Sequence, residues 1–383
     1  MRTIHRMMAI AACWASVVLM QAQSADSVQT SSAAVPTAWI AQLDIDQIDP
    51  RKQENLPKIT LLLRSWDIPR SKRLEYARRY LRGEYKFHTL NPEPPLHDNY
   101  WYVLNEAVEA LGRLNDVESI PWLEEKLALW EAEAKKPDPE RAMVVPSLPR
   151  ARAVLARLKA VRDVPQVKNA TDLIRRFERM LYHVGFVGNL SDWHRELRKE
   201  FEEADKCDHC GPGVQYEILL QYGQMLMEAG WRGVDITAAS KIIQLDSKVG
   251  YEGGVKKTFE VYVQLAKIPL DQLAQHIVDE AVHWQVYSDG EAPKAQVLAD
   301  MGVTVLPIVW EKLKWAGQNR DQLKGSGVGM GVLLEILVTV GGEQALPLIE
   351  PFLNDENKWV RYYACQAKEY IQQGKVFLFA PYF

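Results

Sequence analysis

One short pattern occurs three times in this chain, each time after a helix-like run. A small or β-branched residue is followed by Leu or Ile, a proline and two apolar residues, with Leu again four positions later. The copies begin at Ser119, Val305 and Ala345. Proline there suits the first turn of a helix, because the amide that it lacks would have no intrahelical partner. The pattern predicts three helix starts, and the spacing of the last two copies is typical of stacked helix pairs.

Small residues accompany these helix starts at positions where two helices would cross. Ala110 and Gly112 precede the first copy, and Ala364 follows the third. Together with the repeated pattern, these residues resemble HEAT repeats, most closely the short HEAT-like repeats also found in phycobilisome lyase-type proteins. The resemblance covers 99–161 and 292–374, under half of the chain. It implies an α-solenoid whose concave face binds another macromolecule, and it carries over no catalytic residue.

The rest of the chain also reads as helical, since no strand-like alternation of useful length appears. The sequence predicts an all-α fold: an α-solenoid of HEAT-like helical hairpins with a less regular middle region. The expected parts are a signal peptide over 1–24, a flexible linker over 25–50, HEAT-like repeats over 51–165, a middle helical region over 166–290, and HEAT-like repeats with an apolar capping tail over 291–383. The middle region is either degenerate repeats or an insertion.

The amino terminus has the form of a secretory signal. Arg2 and Arg6 precede an apolar run from Met7 to Met20, and small residues follow it. The run is too short for a membrane span, and no later segment offers about 18 uninterrupted apolar residues. We expect a secreted or periplasmic protein without a transmembrane segment in the mature chain. A lipoprotein is not expected, because too few apolar residues precede Cys13.

The charge of the chain bears on its partners. The formal net charge is −4, and it becomes more negative once the two arginines of the signal peptide are removed. Without a basic bias, a nucleic-acid-binding protein is not expected. No motif in the chain indicates a cofactor.

Two neighbouring segments are candidates for a binding surface. Arg78 and Arg79 lie among basic and tyrosine side chains, and the proline-stiffened loop 86–101 ends in Tyr100 and Trp101. Binding residues favour loops on rigid scaffolds. We therefore assign candidate binding roles to these four residues. A solvated helix face and a packed connection are the alternative explanations.

The spacing of two cysteines suggests a disulfide that closes a short loop. Cys207 and Cys210 form a CxxC spacing. In an exported protein, close cysteines favour a disulfide, which is the expectation here. Inert or metal-bound thiols and a redox pair are the alternatives. Cys365, on the last helix, is expected to be a free, buried thiol.

One trio has the spacing of a possible metal site. His276, Glu280 and His283 follow one another at i, i+4 and i+7, along one side of a helix. Two imidazoles and a carboxylate suit zinc or iron. Both histidines lie at the flank of the apolar face, so we expect hydrogen-bonded or hydrated boundary residues, with a metal site as the alternative.

These patterns favour an exported scaffold or binding module whose partner is another protein. One alternative is a cell-envelope binder that takes an anionic glycan or another envelope component. The other is an exported enzyme that uses a metal or a redox pair. Enzymatic activity is not the favoured expectation.

Overall fold

The computed structural model describes residues 39–87, 100–135, 146–206, 213–246, 250–323 and 327–377. These residues form helices and turns with no strand among them, so the predicted all-α class is confirmed. They belong to one compact unit, Pro36–Phe383. The boundaries expected near residues 165 and 290 do not divide this unit.

The α-helices alternate with short turns and 3-10 helices along the chain. They are α1 (Leu56–Arg64), α2 (Arg70–Arg82), α3 (Tyr100–Arg113), α4 (Ile120–Ala134), α5 (Leu148–Asp163), α6 (Ala170–His183), α7 (Leu190–Ala204), α8 (Val214–Trp231), α9 (Thr237–Ser240), α10 (Gly250–Leu265), α11 (Leu270–Ala281), α12 (Ala292–Asp300), α13 (Leu306–Gln318), α14 (Val328–Gly341), α15 (Leu346–Ile349) and α16 (Lys358–Gln372). The three predicted helix starts are confirmed. Pro121, Pro307 and Pro347 lie in the first turns of α4, α13 and α15.

Six helices lie side by side and close into a ring. α1 packs on α3, α3 on α5, α5 on α8, α8 on α10 and α10 on α12, and α12 in turn contacts α1. The closing contact joins the carboxyl ends of two helices, because the amide of Trp66 donates to the carbonyl of Asp300 over 2.6 Å. The other long helices cover this ring from outside. For example, α2 lies against α1 and α3, and α6 lies against α5 and α8.

Local sequence explains why the ring helices approach closely. α5 begins at Ser147, whose hydroxyl accepts a hydrogen bond from the amide of Arg150, and Pro149 occupies its first turn. Its buried small residues are Ala151, Ala153, Ala156 and Ala160. On α3, Gly112 meets Val154 of α5 where a larger side chain would crowd it. Small residues at these crossings let four helices, α3, α4, α6 and α8, pack around α5.

The solenoid arrangement stays a prediction. Consecutive helix pairs do pack side by side, as a stack of HEAT-like hairpins would. The contact between α12 and α1 then closes the inner row of helices on itself.

The flexible linker expected over 25–50 is wrong for residues 39–50. Ile40, Ile45 and Ile48 are buried, and the indole N–H of Trp39 donates to the carbonyl of Thr339 over 3.2 Å. Short 3-10 turns place these apolar side chains against α1 and α14. The segment therefore belongs to the core.

The most apolar helix, α14, carries a single carboxylate. The segment Val328–Phe352 is long and apolar enough to cross a membrane by length and composition alone, and most of it is buried inside the fold. Glu335 has no hydrogen-bond or ion-pair partner among the described residues. Burial raises the pKa of Glu335 to about 8. Its charged form is therefore disfavoured in the folded state.

This raised pKa predicts a pH-dependent stability. Between the ordinary carboxyl pKa of 4.5 and about 8, the folded state binds the proton more tightly than the unfolded state does, so the free energy of unfolding falls as pH rises. Glu335→Gln should remove this pH-dependent fall in the free energy of unfolding. Its stability advantage over the wild type, measured by urea unfolding, should be larger at pH 8 than at pH 5. The exposed Glu343→Gln is the control, and an equal advantage at both pH values would contradict the placement of Glu335.

A second prediction concerns the contact that closes the ring. Asp67 accepts a hydrogen bond from the amide of Val303 over 2.9 Å, beside Gly302 at φ +72. A Cβ at Gly302 would overlap the Asp67 carboxylate, whereas Gly185, at φ +80, has open space around it. Both alanine variants carry left-handed strain of about 1–2 kcal/mol. The free energy of unfolding should fall by roughly 1–3 kcal/mol more for Gly302→Ala than for Gly185→Ala, because Gly302→Ala also breaks the Asp67 contact. Equal losses would show that the contact does not hold the ring closed.

Candidate functional site

Two ring helices carry rows of polar side chains on otherwise apolar surfaces. The row on α3 is Tyr102, Glu106, Glu109 and Arg113, and the row on α8 is Glu217, Gln221, Gln224 and Glu228. Both rows repeat at i, i+4, i+7 and i+11, which keeps them on one side of a helix. The remaining faces pack against neighbouring helices. The polar rows therefore face the interior of the ring.

Hydrogen bonds cross this interior. The carboxylate of Glu109 accepts from the side-chain amides of Gln221 over 2.7 Å and Gln224 over 2.8 Å. α3 and α8 are separated in the ring by α5, so these bonds bridge non-neighbouring helices. Burial acts to raise the pKa of Glu109, but the nearby positive charges of Arg113 and Arg150 outweigh it, and the net effect lowers that pKa. Glu109 is therefore ionised at neutral pH.

α5 supplies two arginines to the same interior. Arg150 forms an ion pair with Glu217 at 3.1 Å, and burial raises the pKa of Glu217 despite this contact. Arg157 is fully buried and forms an ion pair with Glu228 at 2.8 Å. It also donates to the amide oxygens of Gln221 and Gln224. Each of these guanidiniums is paired.

Side chains from the other three ring helices, α1, α10 and α12, complete this group of interior polar residues. Arg64 of α1 approaches Glu106 at 3.4 Å. On α12, the amide of Gln296 donates to Asp300 over 2.7 Å, and burial raises the pKa of Asp300 although Arg64 and Arg113 act to lower it. Tyr262 projects from α10 beside Glu109 and Gln224. We call this group the axial cluster: Arg64, Glu106, Glu109, Arg113, Arg150, Glu217, Gln221, Gln224, Tyr262, Gln296 and Asp300.

Arg113 differs from the other arginines of the axial cluster. No described residue forms an ion pair or hydrogen bond with its guanidinium, and its Nη2 is buried without an acceptor. Burial, together with the positive charge of Arg64, lowers the pKa of Arg113. The Oε1 of Gln296 is likewise buried without a donor among the described residues. A buried unpaired polar group costs about 1–3 kcal/mol, so such groups are typical of sites that water or a ligand completes.

Several side chains of the axial cluster are only partly shielded from solvent. The side chains of Arg64 and Arg150 keep 13% and 20% of their surface exposed, and Arg113, Tyr262 and Asp300 are also only partly buried. Three arginines and four carboxylates thus lie together among the six ring helices.

The predicted binding arginines lie elsewhere, on the covering helix α2. Arg78 donates to Asp116 over 2.9 Å, and Arg79 donates to Asp46 over 2.8 Å. Both line a groove of about 590 Å³ between α2 and residues 115–118. Their charges are used in ion pairs within the chain, and the structure does not bring them to the axial cluster.

The predicted aromatic pair is described only in part. Trp101 is 42% exposed and meets Tyr102 edge to face, with ring centroids 6.2 Å apart. Tyr100 begins α3, but its side chain and residues 88–99 lie outside the described residues. The structure therefore places Trp101 near the start of the polar row on α3.

The cysteine predictions have different outcomes. Cys207 and Cys210 lie outside the described residues, so their disulfide stays a prediction. Cys365 has a free thiol, but the expectation that it is buried is wrong, because it is exposed. The buried stripe of α16 consists of Val360, Ala364, Ala367 and Ile371. Cys365 directly follows Ala364 in the chain, so its side chain points away from this stripe.

Two residues of the candidate metal trio, Glu280 and His283, are engaged in other contacts. Glu280 forms an ion pair with Lys294, and His283 meets Trp315 edge to face at 6.5 Å. Within the described ranges, no group of three His, Cys, Asp or Glu side chains is arranged to hold a metal ion. Nothing in these contacts assembles His276, Glu280 and His283 into a ligand set.

A separate groove of about 940 Å³ lies at the carboxyl ends of α1, α8, α10 and α12. Trp66 and Trp231 line it and meet edge to face at 5.8 Å. The indole N–H of Trp231 donates to the carbonyl of Leu265 over 3.0 Å. This groove has aromatic walls, whereas the axial cluster is almost entirely polar.

Sequence reasoning missed the axial cluster, although a signal was present. Helices α3 and α8 do not divide into a polar face toward solvent and an apolar face toward the core. Each nevertheless carries polar residues at i, i+4, i+7 and i+11. A buried helix with such a row must meet polar partners. Only the closure of the ring shows where those partners are.

Comparisons with protein-family models, curated proteins and solved structures found no match. The HEAT-like resemblance stays a prediction. The geometry of the axial cluster is therefore the basis for a functional proposal.

Two arginines of the axial cluster should respond differently to the same substitution. Arg150→Met leaves Glu217 buried without its cation, which should cost about 3 kcal/mol or more. Arg113→Met removes a guanidinium with no ion-pair or hydrogen-bond partner among the described residues, and Glu109 keeps Arg150 and its two amide donors, so the loss of unfolding free energy should be clearly smaller than for Arg150→Met. Urea unfolding of the ligand-free chain measures both values. Equal destabilisation by the two substitutions would mean that Arg113, like Arg150, forms an ion pair that stabilises the fold.

Proposed function

We propose that this chain is a binding protein that holds a small polar ligand at the axis of its helical ring. The observation that carries the proposal is Arg113, a partly exposed guanidinium with no hydrogen-bond or ion-pair partner among the described residues, which lies among paired charges at the axis of the ring. Its neighbours are already fixed by one another. A ligand entering this space would meet oriented donors and acceptors that need no rearrangement.

The position of the axial cluster supports the proposal. Ligand sites are concave and are commonly placed where several elements of a scaffold converge. Here all six ring helices contribute a side chain, so the geometry depends on rigid elements and not on loops. Charged groups that face an accessible interior bring specificity more than stability.

We also propose that the protein acts outside the cytoplasm, since the signal-peptide pattern over 1–24 supports export. The helix pairs are proposed to be HEAT-like, with the repeated proline pattern as support. An exported protein that binds an anionic glycan or another envelope component agrees with both features. It corresponds to one of the alternatives that the sequence leaves open.

A ligand screen tests the proposal. A library of sugars, sugar acids, amino acids and small amines is added to the full chain, and thermal unfolding identifies members that raise its Tm. Tyr262→Phe removes one hydroxyl from the ring interior and should weaken the binding of such a member about 3- to 10-fold by calorimetry. Tyr182→Phe, which changes an exposed tyrosine, should leave the affinity unchanged. A library without binders, or equal affinities for both variants and the wild type, would refute the axial site.

A second candidate function is binding to another protein, as the sequence favours. Trp359 and Tyr362 support it, because they are exposed on α16 and meet edge to face at 6.5 Å. Exposed aromatic residues are typical anchors of protein interfaces. Trp101 is a further exposed aromatic residue, on α3.

If that surface binds a protein, Trp359→Ala with Tyr362→Ala should reduce capture of the partner. Loss of an interface anchor costs about 2 kcal/mol or more, which is sufficient to weaken a micromolar complex by over tenfold. Capture from an envelope extract of the source organism is the measurement. Tyr182→Ala serves as the control for the loss of an exposed aromatic side chain. Unchanged capture by the double variant would exclude the α16 surface.

A further inference from the structure

We infer that the ligand of the axial cluster is a small, hydroxyl-bearing carboxylate, and that Arg113 binds its carboxylate. This inference rests on the proposed function and names its substrate class. Arg113 is the guanidinium of the axial cluster with no ion-pair or hydrogen-bond partner among the described residues, and its buried Nη2 is a donor without an acceptor. A carboxylate matches the planar guanidinium and can accept two hydrogen bonds from it.

The charges around Arg113 favour a single negative charge on the ligand. Arg64 lies close enough to affect Arg113 electrostatically, which adds a second cation on the side of Glu106 and Asp300. The carboxylates of Glu106, Glu109 and Asp300 already supply negative charge around these two guanidiniums. A phosphate dianion would place two negative charges beside these carboxylates. A monoanionic carboxylate neutralises Arg113 with less repulsion.

The acceptors on α12 favour hydroxyl groups on the same ligand. The Oε1 of Gln296 is buried without a donor, while the Nε2 of the same side chain donates to Asp300 over 2.7 Å. Gln296 is therefore oriented, with its carbonyl oxygen left available. Asp300 uses one carboxylate oxygen in that bond, and its other oxygen has no bond with a described residue. A ligand hydroxyl satisfies such acceptors without adding charge.

Two other grooves of the molecule suit a carboxylate ligand less well than the axial cluster does. The groove between Trp66 and Trp231 offers aromatic walls, and its lysine, Lys267, is exposed to solvent. The groove along α2 has arginines, but Arg78 and Arg79 are already paired with Asp116 and Asp46. Arg113 thus combines a buried donor atom with the lack of a hydrogen-bond or ion-pair partner among the described residues.

The test compares matched ligands and matched variants by isothermal titration calorimetry. The probes are D-glucuronate, D-gluconate and acetate, with D-glucuronamide as the neutral counterpart of glucuronate and inorganic phosphate as the dianion. The protein is the full chain as wild type, Arg113→Gln and Arg113→Lys. Arg162→Gln, which removes an exposed arginine of α5, is the control. Circular dichroism confirms that each variant is folded.

In the wild type, at least one hydroxylated carboxylate should bind about tenfold or more tightly than glucuronamide, acetate and phosphate. Arg113→Gln should abolish the preference for glucuronate over glucuronamide, whereas Arg113→Lys should keep part of it and Arg162→Gln all of it. This ratio reports on charge recognition, which a purely structural arginine would not change.

Three results would overturn the inference. Glucuronamide could bind as tightly as glucuronate, Arg113→Gln could keep the preference, or phosphate or an amino acid could bind best. If a neutral ligand from the library binds and Tyr262→Phe weakens it, the proposed function stands and this inference fails. If no library member binds at all, both fail.

Discussion

The bonds from Gln221 and Gln224 to Glu109 are the interaction on which the rest of the structure depends. They join α3 and α8 across the interior at 2.7 and 2.8 Å, and they hold an ionised carboxylate in a buried position. A buried charge that loses its partners costs several kcal/mol. The ring therefore cannot open at this level without leaving Glu109 unsatisfied, and the small residues of α5 let the bridged helices stay close.

The axial cluster is better explained by binding than by stability. Apolar residues of similar volume often replace buried ion pairs without loss of stability, so stability alone does not account for a buried charge such as Arg113 that bridges no helices. Arg150 and Arg157 have close carboxylate partners, whereas Arg113 has none among the described residues. Proteins tolerate unfavourable groups chiefly where function requires them. The distribution of paired and unpaired charges therefore indicates an oriented frame around one available cation.

Much of the fold was accessible from sequence, but the site was not. The helix starts at Pro121, Pro307 and Pro347 follow from local backbone chemistry, and so does the all-α class. The axial cluster depends on which helices become neighbours, and the closing contact between Asp67 and Val303 joins residues 236 positions apart. The exposure of Cys365 was misjudged because a shift of one position on a helix moves a side chain by about 100°. The polar rows of α3 and α8 were visible, but their partners were not.

A crystal structure of the full chain at atomic resolution, grown without added ligand, tests the central claim most directly. It should show six parallel ring helices and an ordered water or captured solute hydrogen-bonded to Nη2 of Arg113 and Oε1 of Gln296. Such density would mark the space in which a ligand is held. A carboxylate of the chain bound directly to Arg113, with no space left between α3 and α12, would contradict the account and make the axial cluster a structural core.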